Sequence, residues 1–242
     1  MIEIKVCNLR EKPVVFSAKD AINYASRILK DADLSKHRDI CIREAVKMIP
    51  KDLTNKFAMD IGCGEGRWSR LLAQRGANVL GIDNSRAMIK IAVERSKGIP
   101  QISFKYLGIE GLLNLEKKFD FVIASYIFNN IINLSKAFQV CNQILVNGGE
   151  LVIITKTFRL PRGYLKKLRG FLLPVKIRNN FIMHTSVFTF KDYEKISRKY
   201  KFILVDRFSR VSPYRFSNED LNKTDIIIED QVMKYQKRVS KK

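Results

Sequence analysis

From Phe57 onward, short apolar segments alternate with longer segments in which apolar residues recur at helical spacing. Short apolar runs bounded by turn residues are typical of strands buried in a parallel sheet, and the helical segments supply the crossovers. The predicted strands are residues 57–61, 78–82, 102–105, 119–124, 150–155, 202–206 and 225–229, and the predicted helices are 67–75, 85–97, 134–146 and 191–200. The pattern predicts an α/β fold with a seven-stranded, mostly parallel sheet and helices on both faces.

The flanks of this repeating part have a different character. Residues 17–50 predict two helices, the first capped by Ser17 and the second capped by Ser35 and ending at Pro50. We therefore expect an N-terminal helical lid segment over residues 1–56 and the main domain over 57–242. Within that domain, a basic lid is predicted as an insertion at about 157–183, with a short helix ending near Pro174. The tail from Val232 onward is expected to fray.

Charge is concentrated toward the C-terminus. The chain has 242 residues and a net charge of +21, and residues 151–242 carry 22 Lys and Arg against 8 Asp and Glu. No acidic residue occurs between Glu150 and Asp192. Such a field attracts anions, so an acidic small molecule and RNA are both candidate partners, although lysine-rich surfaces also serve solubility alone.

Several classes of protein are disfavoured by composition. The four cysteines are widely separated and form no CxxC pair, which argues against a zinc site and against a disulfide framework, so no metal is predicted. The longest apolar runs are far shorter than the roughly 20 residues of a membrane helix. The first ten residues do not read as a secretory signal, and a cytoplasmic protein is expected.

A glycine-rich turn carries the first chemical signal. Asp60 lies near the end of the predicted strand 57–61, and glycines follow at 62, 64 and 66 before a predicted helix. Glycines in this place allow a ligand to approach the backbone closely. A dinucleotide site is the alternative, but a carboxylate beside a diphosphate would be repulsive, so Asp60 favours a cationic amino-acid ligand such as a sulfonium cofactor.

Asp83 ends the next strand, 23 residues after Asp60. A carboxylate in that position can accept hydrogen bonds from both hydroxyls of a ribose, and its alternative role is to cap the helix that follows. Met88, one turn into that helix, could pack on a purine face or belong to the core.

Four ordered motifs together resemble the class I methyltransferases that use S-adenosylmethionine, especially the small-molecule branch, which have a Rossmann-like fold. They are Phe-Ala-Met-Asp-Ile-Gly-Cys-Gly-Glu-Gly at 57–66, Gly-Ile-Asp-Asn-Ser at 81–85, Phe-Asp-Phe-Val-Ile-Ala-Ser-Tyr at 119–126 and Leu-Val-Asn-Gly-Gly-Glu-Leu-Val at 145–152. The resemblance implies S-adenosylmethionine as the cofactor. It assigns the methionine part to Asp60, Gly62, Cys63 and Gly64, the ribose to Asp83, the adenine to Asn84, Met88, Gly108, Ile109 and Glu110, and the methionine end to Ser125 and Tyr126.

The chain departs from the family pattern at two positions. Gly108 stands where many relatives have an aspartate that binds the adenine amino group, which leaves adenine recognition to the backbone near Ile109. Asn129 occupies a region after the fourth strand where many relatives carry histidines. If the acceptor must lose a proton, His184 and Tyr126 are the candidate bases, with His37 as a more remote one. The alternative role of His184 is that of a hydrogen-bonded structural histidine.

Three functions remain open at this stage. The first is methylation of a small molecule or peptide-like metabolite, possibly anionic, beneath the two predicted lids. The second is methylation of RNA, supported by the basic C-terminal part and its interleaved aromatic residues. The third is a catalytically silent protein that binds the cofactor or a partner. Neither the acceptor atom nor the oligomeric state follows from the sequence.

Overall fold

The computed structural model describes residues 32–160, 172–177, 181–212, 215–216 and 226–239; for 32–38, 172–177, 181–185 and 215–216 it describes only the backbone. The described helices are α1 Ala32–Met48, α2 Arg67–Gln74, α3 Arg86–Arg95, α4 Leu134–Ile144 and α5 Phe190–Lys199, with 3₁₀ turns at Ile109–Asn114 and Phe128–Asn130. The strands are β1 Phe57–Ile61, β2 Asn78–Asp83, β3 Ile102–Tyr106, β4 Phe119–Ser125, β5 Leu145–Arg159, β6 Leu172–Ile177, β7 Phe181–Ser186, β8 Phe202–Val211, β9 Arg215–Phe216 and β10 Ile227–Lys237.

Seven of these strands form one sheet in the order β3-β2-β1-β4-β5-β10-β8. The sheet is parallel except for β10, which is antiparallel to both β5 and β8. The predicted seven-stranded, mostly parallel sheet is confirmed. Because the chain order reverses between β1 and β4, the carboxyl ends of these two neighbouring strands diverge into a crevice, the place where open α/β sheets bind ligands.

Apolar clusters cover both faces of the sheet. On one face, α1 and α2 pack against β1, β4, β5 and β10, and on the other face α4 and α5 do so. Local capping fixes where the helices begin: Ser85, Asn133 and Thr189 accept hydrogen bonds from the first turns of α3, α4 and α5. None of the helices in the described ranges is both long and apolar enough to cross a membrane.

The last turns of α1 belong to the domain core. Cys41, Ala45, Met48 and Ile49 are buried against the sheet. Ser35 lies inside α1 and does not cap it, because the helix includes Ala32. The first predicted helix and its cap Ser17 lie outside the described residues, so the lid over residues 1–56 stays a prediction there.

The C-terminal part differs most from expectation. The tail prediction was wrong: β10 continues to Lys237 between β5 and β8, and it buries Val232, Met233 and Tyr235. The predicted helix ending near Pro174 was wrong at its end, because Leu172–Ile177 is a strand. That strand joins β7 and β9 in a second, three-stranded antiparallel sheet that the pattern did not predict. Residues 161–171 of the predicted insertion lie outside the described residues.

Candidate cofactor-binding site

The glycine turn connects β1 to α2 at the carboxyl edge of the sheet. Gly62, Gly64 and Gly66 all have positive φ, at 67°, 52° and 83°, a region that other residues enter only at a cost. A Cβ on Gly62 would lie 2.1 Å from Ile127 Cδ1, whereas a Cβ on Gly64 would meet nothing within 4 Å. Gly62 therefore permits close packing within the protein, and Gly64 leaves its side open toward a ligand.

Asp60 lies fully buried beneath this turn. Its Oδ2 accepts hydrogen bonds from the backbone N–H and the hydroxyl of Ser69, at 2.9 and 2.7 Å. Its Oδ1 is also buried and has no hydrogen-bond partner among the described residues. Burial raises the pKa of Asp60 to about 7, against the lowering effect of the Ser69 hydrogen bonds. An unpaired buried acceptor is costly, so the site favours a hydrogen-bond donor or a cation next to Oδ1.

Asp83, at the end of β2, ties the glycine turn to the sheet. Its Oδ2 accepts the N–H of Gly64 at 3.0 Å, and its Oδ1 accepts the N–H of Ser85 at 2.8 Å. Burial raises the pKa of Asp83, and these two N–H groups oppose the shift. The cap of α3 is Ser85, whose hydroxyl accepts from Met88 N. The carboxylate thus stays next to the open side of Gly64.

The remaining residues predicted for the nucleoside surround the end of β2. Leu107 N donates to Asp83 O at 3.0 Å, which brings the start of the Ile109–Asn114 turn beside Asp83. Met88 is buried in α3, and Asn84 is half-buried in the preceding turn. Gly108 and Ile109 are half-buried, while Glu110 is exposed. Their roles toward adenine stay predictions.

The turn after β4 lies on the other side of the glycine turn from Asp83. Ser125 ends β4 and Tyr126 follows with φ 56°, its N–H donating to Ile154 O at 2.7 Å. The next residue, Ile127, packs against Gly62. The fold therefore brings the turn that contains Tyr126 and Ile127 against the glycine turn, and the roles of Ser125 and Tyr126 toward the cofactor stay predictions.

His184 lies in β7, opposite Pro174 of β6. Two residues later, Ser186 donates its hydroxyl hydrogen bond to Ile131 O at 2.8 Å, so the end of β7 lies beside the turn after β4. This places the His184 backbone near the same edge, and its side chain lies outside the described residues. Its role as a base stays a prediction.

Cys63 is buried inside the glycine turn, and its N–H donates to Ile82 O at 2.8 Å. Burial raises the pKa of its thiol, with Asp60 and Asp83 adding to the shift. A protonated, buried thiol is a poor nucleophile, so Cys63 contributes its backbone and its small volume. Among the described residues, no group of three or more His, Cys, Asp or Glu side chains is arranged to hold a metal ion.

Two features of the site escaped the sequence reasoning. Ser69 anchors Asp60, and its only sequence signal is a small polar residue on the buried face of α2. Lys156 and Arg159 were counted with the anion-attracting basic stretch, but they pair with Asp230 and Glu229 of β10. Lys156 is 2% exposed, so it does not belong to that basic surface.

Comparison with known proteins identifies the type of domain that contains this site. Residues 59–153, which run from β1 into β5, match the model of the methyltransferase domain. This part of the chain is therefore a methyltransferase domain of the class I, S-adenosylmethionine-dependent type. The family and its cofactor, S-adenosylmethionine, are thereby confirmed as the sequence predicted.

The curated relatives match only part of this chain, and this chain matches only part of them. The mitochondrial ubiquinone biosynthesis O-methyltransferase of Rattus norvegicus is 34% identical over 124 residues, which are 49% of this chain and 36% of that protein. The chain thus spans about a third of that relative's length, and about half of the related Pseudomonas fluorescens enzyme.

Solved structures agree with the methyltransferase fold. A phosphoethanolamine N-methyltransferase of Haemonchus contortus, in complex with S-adenosylhomocysteine, superposes with a TM-score of 0.58 at 17% identity, covering 83% of this chain and 53% of that one. The [4+2]-cyclase SpnF superposes with a TM-score of 0.61 at 16% identity, covering 82% and 80%. Since a cyclase shares the fold, the fold alone does not specify the reaction.

Proposed function

We propose that this chain binds S-adenosylmethionine at the glycine turn and transfers its methyl group to a hydroxyl of a small molecule. The proposed cofactor site rests on a combination of two features, one at Asp60 and one at Gly64. Asp60 presents a buried carboxylate oxygen without a partner among the described residues, and Gly64 leaves open space above the backbone. The ammonium and sulfonium of the cofactor are cationic, and a cation next to Oδ1 offsets the cost of burying it.

The nucleoside end fits the next strand. The Asp83 carboxylate already accepts one hydrogen bond on each oxygen, and each oxygen retains a second acceptor position for a ribose hydroxyl. Asn84 and Met88 at the start of α3, and the backbone of Gly108, Ile109 and Glu110, would surround the adenine. Cys63 and Gly62 shape the turn, and Ser125 and Tyr126 would border the methionine end.

When bound, S-adenosylmethionine supplies an electrophilic methyl group for in-line displacement. The work left to the protein is to align the acceptor and to exclude water, and good positioning can supply roughly 7–11 kcal/mol of the barrier. A hydroxyl acceptor also has to lose its proton. Tyr126 and His184 are the proposed bases, the first because it flanks the glycine turn and the second because its strand ends beside the turn after β4.

The acceptor class is inferred from the relatives. The Rattus norvegicus protein is named as an O-methyltransferase of ubiquinone biosynthesis, which suggests a hydroxyl on a small ring for this chain too. An anionic acceptor and RNA would both use the basic residues of 161–171, whose placement lies outside the described residues. Lys156 and Arg159 do not support RNA binding, because their side chains pair with Asp230 and Glu229.

Titration calorimetry tests the cofactor site first. We expect binding of S-adenosylmethionine and S-adenosylhomocysteine and no heat with NAD; binding of NAD alone would refute the assignment. The second step supplies methyl-labelled cofactor with a panel of phenols and catechols, acidic metabolites and RNA. Label in a phenol or catechol supports the proposal. Label found only in RNA would instead support RNA methylation. In that case log affinity should fall by about 0.7 per phosphate contacted for each unit of log salt.

A further inference from the structure

A buried ion pair lies at the carboxyl edge of the sheet, outside the proposed cofactor contacts. Lys156, near the end of β5, pairs through Nζ with Asp230 Oδ1 at the start of β10, and the two residues face each other in the strand register. Their side chains are 2% and 0% exposed, and Ser212 Oγ lies 3.4 Å from Nζ. Burying two charges costs several kcal/mol for each ion before their attraction offsets it, and apolar residues of similar volume often stabilise as well. Stability alone therefore does not account for this pair.

The pair lies against Tyr126. The Lys156 ammonium is 5.4 Å from the centroid of the Tyr126 ring, within the range of a cation–π interaction. A side-chain hydrogen bond also joins Tyr126 to Cys41 of α1, where it opposes the raising of the thiol pKa by burial. The half-buried Tyr126 ring is thus bordered by groups from β5 and α1.

The backbone of Tyr126 is held in an unfavourable conformation. A φ of 56° for a non-glycine residue costs on the order of 1–3 kcal/mol and persists only where the surroundings hold it. The surroundings here are the hydrogen bond from Tyr126 N to Ile154 O, and the one from Asn130 Nδ2 to Tyr126 O at 3.2 Å. The next residue, Ile127, packs on Gly62, so the turn that contains Tyr126 is in contact with the glycine turn.

We propose that Lys156, held by Asp230, is a positioning residue that fixes the Tyr126 ring and turn against the glycine turn, and so sets the methionine end of the cofactor site. Asp230 pairs with the ammonium, and the ammonium makes a cation–π interaction with the Tyr126 ring. Nothing in this role requires Lys156 to touch the ligand. The inference rests on the proposed function, because it takes the glycine turn as the cofactor site.

A double-mutant cycle tests the coupling. Lys156→Met with Asp230→Asn removes both charges together and leaves no unpaired buried charge. The two replacements are made in the wild-type chain and in the Tyr126→Ala chain, and affinity for S-adenosylhomocysteine is measured by calorimetry. We expect about a tenfold loss where Tyr126 is present and less than a twofold loss where it is absent. Equal factors in the two backgrounds, including no loss in either, would overturn the positioning role.

Lys234→Met is the matched control. Lys234 pairs with Glu150 at 2.8 Å on the same two strands, and it lies opposite Val152, roughly 13 Å along the sheet from Lys156. Its loss should lower the melting temperature slightly and change the affinity for S-adenosylhomocysteine less than twofold. An effect as large as that of the Lys156 and Asp230 replacements would show that any ion pair between these strands acts in the same way, and would also overturn the proposal.

If the double replacement does not fold, Lys156→Arg carries the test. Arginine keeps the charge and the partner, but its longer planar head cannot occupy the same place over the ring. We expect a melting temperature near that of the wild type and a three- to tenfold weaker affinity; unchanged affinity in this folded variant would refute positioning. A wild-type chain that does not bind S-adenosylhomocysteine would instead refute the proposed function, so the two failures are distinct.

Discussion

Adding one methyl group at Gly64 should separate the proposed ligand role of the glycine turn from its structural role. Gly64 has φ 52°, and a Cβ there meets nothing within 4 Å. Gly64→Ala therefore costs only the left-handed backbone conformation, about 1–2 kcal/mol, without a clash. At about 2–4 °C per kcal/mol for a chain of this size, the melting temperature falls by only a few degrees.

Ligand affinity should respond more strongly. The new methyl group fills the open space that we assign to the cofactor, and such overpacking costs about 1–3 kcal/mol, which is roughly a 5- to 150-fold loss. Titration calorimetry with S-adenosylhomocysteine measures this loss, and thermal unfolding measured by circular dichroism gives the stability change. An affinity equal to that of the wild type would refute the assignment of this space.

Two further glycines provide the controls. Gly98, just after α3, has φ 81° and an equally open Cβ position, so Gly98→Ala should cost the same stability and leave ligand affinity unchanged. Gly62→Ala adds contacts of 2.1 and 2.2 Å with the Ile127 side chain to its φ of 67°. We expect about 2–5 kcal/mol of lost stability, the largest of the three. If Gly62→Ala and Gly98→Ala have the same melting temperature, Ile127 does not pack closely on Gly62.

Three other predictions concern charged side chains. The pKa of Asp60 rises from 3.8 to about 7 on folding, so its contribution to stability is present below about pH 4 and is lost as the pH rises to about 7. Asp60→Asn should therefore flatten the decline of the unfolding free energy with pH, as measured by denaturant titration. Identical pH profiles of the wild type and the variant would contradict this. Asp83→Ala should weaken S-adenosylhomocysteine binding by about 1–3 kcal/mol in calorimetry, and unchanged affinity would leave this carboxylate with only its bonds to Gly64 and Ser85. Arg75 donates to three carbonyls at the end of α1 and just beyond it, so Arg75→Met should lower the melting temperature by several degrees with unchanged ligand affinity; an unchanged melting temperature would show that this cap is dispensable.

The proposed cofactor site follows closely from the sequence because its geometry is local. Asp60, the glycine turn and α2 are consecutive, and Asp83 ends the adjacent strand, so strand spacing alone brings the two carboxylates to one edge. The role of Ser69 was missed because a serine on a helix gives no periodic signal, and its contact with Asp60 appears only when the helix packs on the sheet.

The edges of the fold were harder to predict because long-range pairing determines them. Strand β5 begins at Leu145, just before an Asn-Gly-Gly sequence that is typical of a turn. Leu145 pairs with Phe119 of β4, and pairing with both β4 and β10 starts at Glu150. The end of β10 carries Lys234, Gln236 and Lys237, a composition typical of an exposed tail, yet β5 and β8 enclose it. Local propensity was overridden by tertiary pairing in both places.

The antiparallel insertion of β10 explains why the surroundings of Tyr126 could not be predicted from sequence spacing. Because β10 runs opposite to β5, its first residues lie at the carboxyl edge, and Asp230 comes opposite Lys156 although 74 residues separate them. The sequence places Lys156 in a basic stretch, but in the structure this side chain is buried and borders Tyr126. Asp60 and Asp83 thus lie at the ends of neighbouring parallel strands, whereas the surroundings of Tyr126 depend on one strand that reverses direction. Changes that weaken the β5–β10 pairing near Asp230 should therefore alter the turn after β4 before they alter Asp60 or Asp83, which are held by β1 and β2.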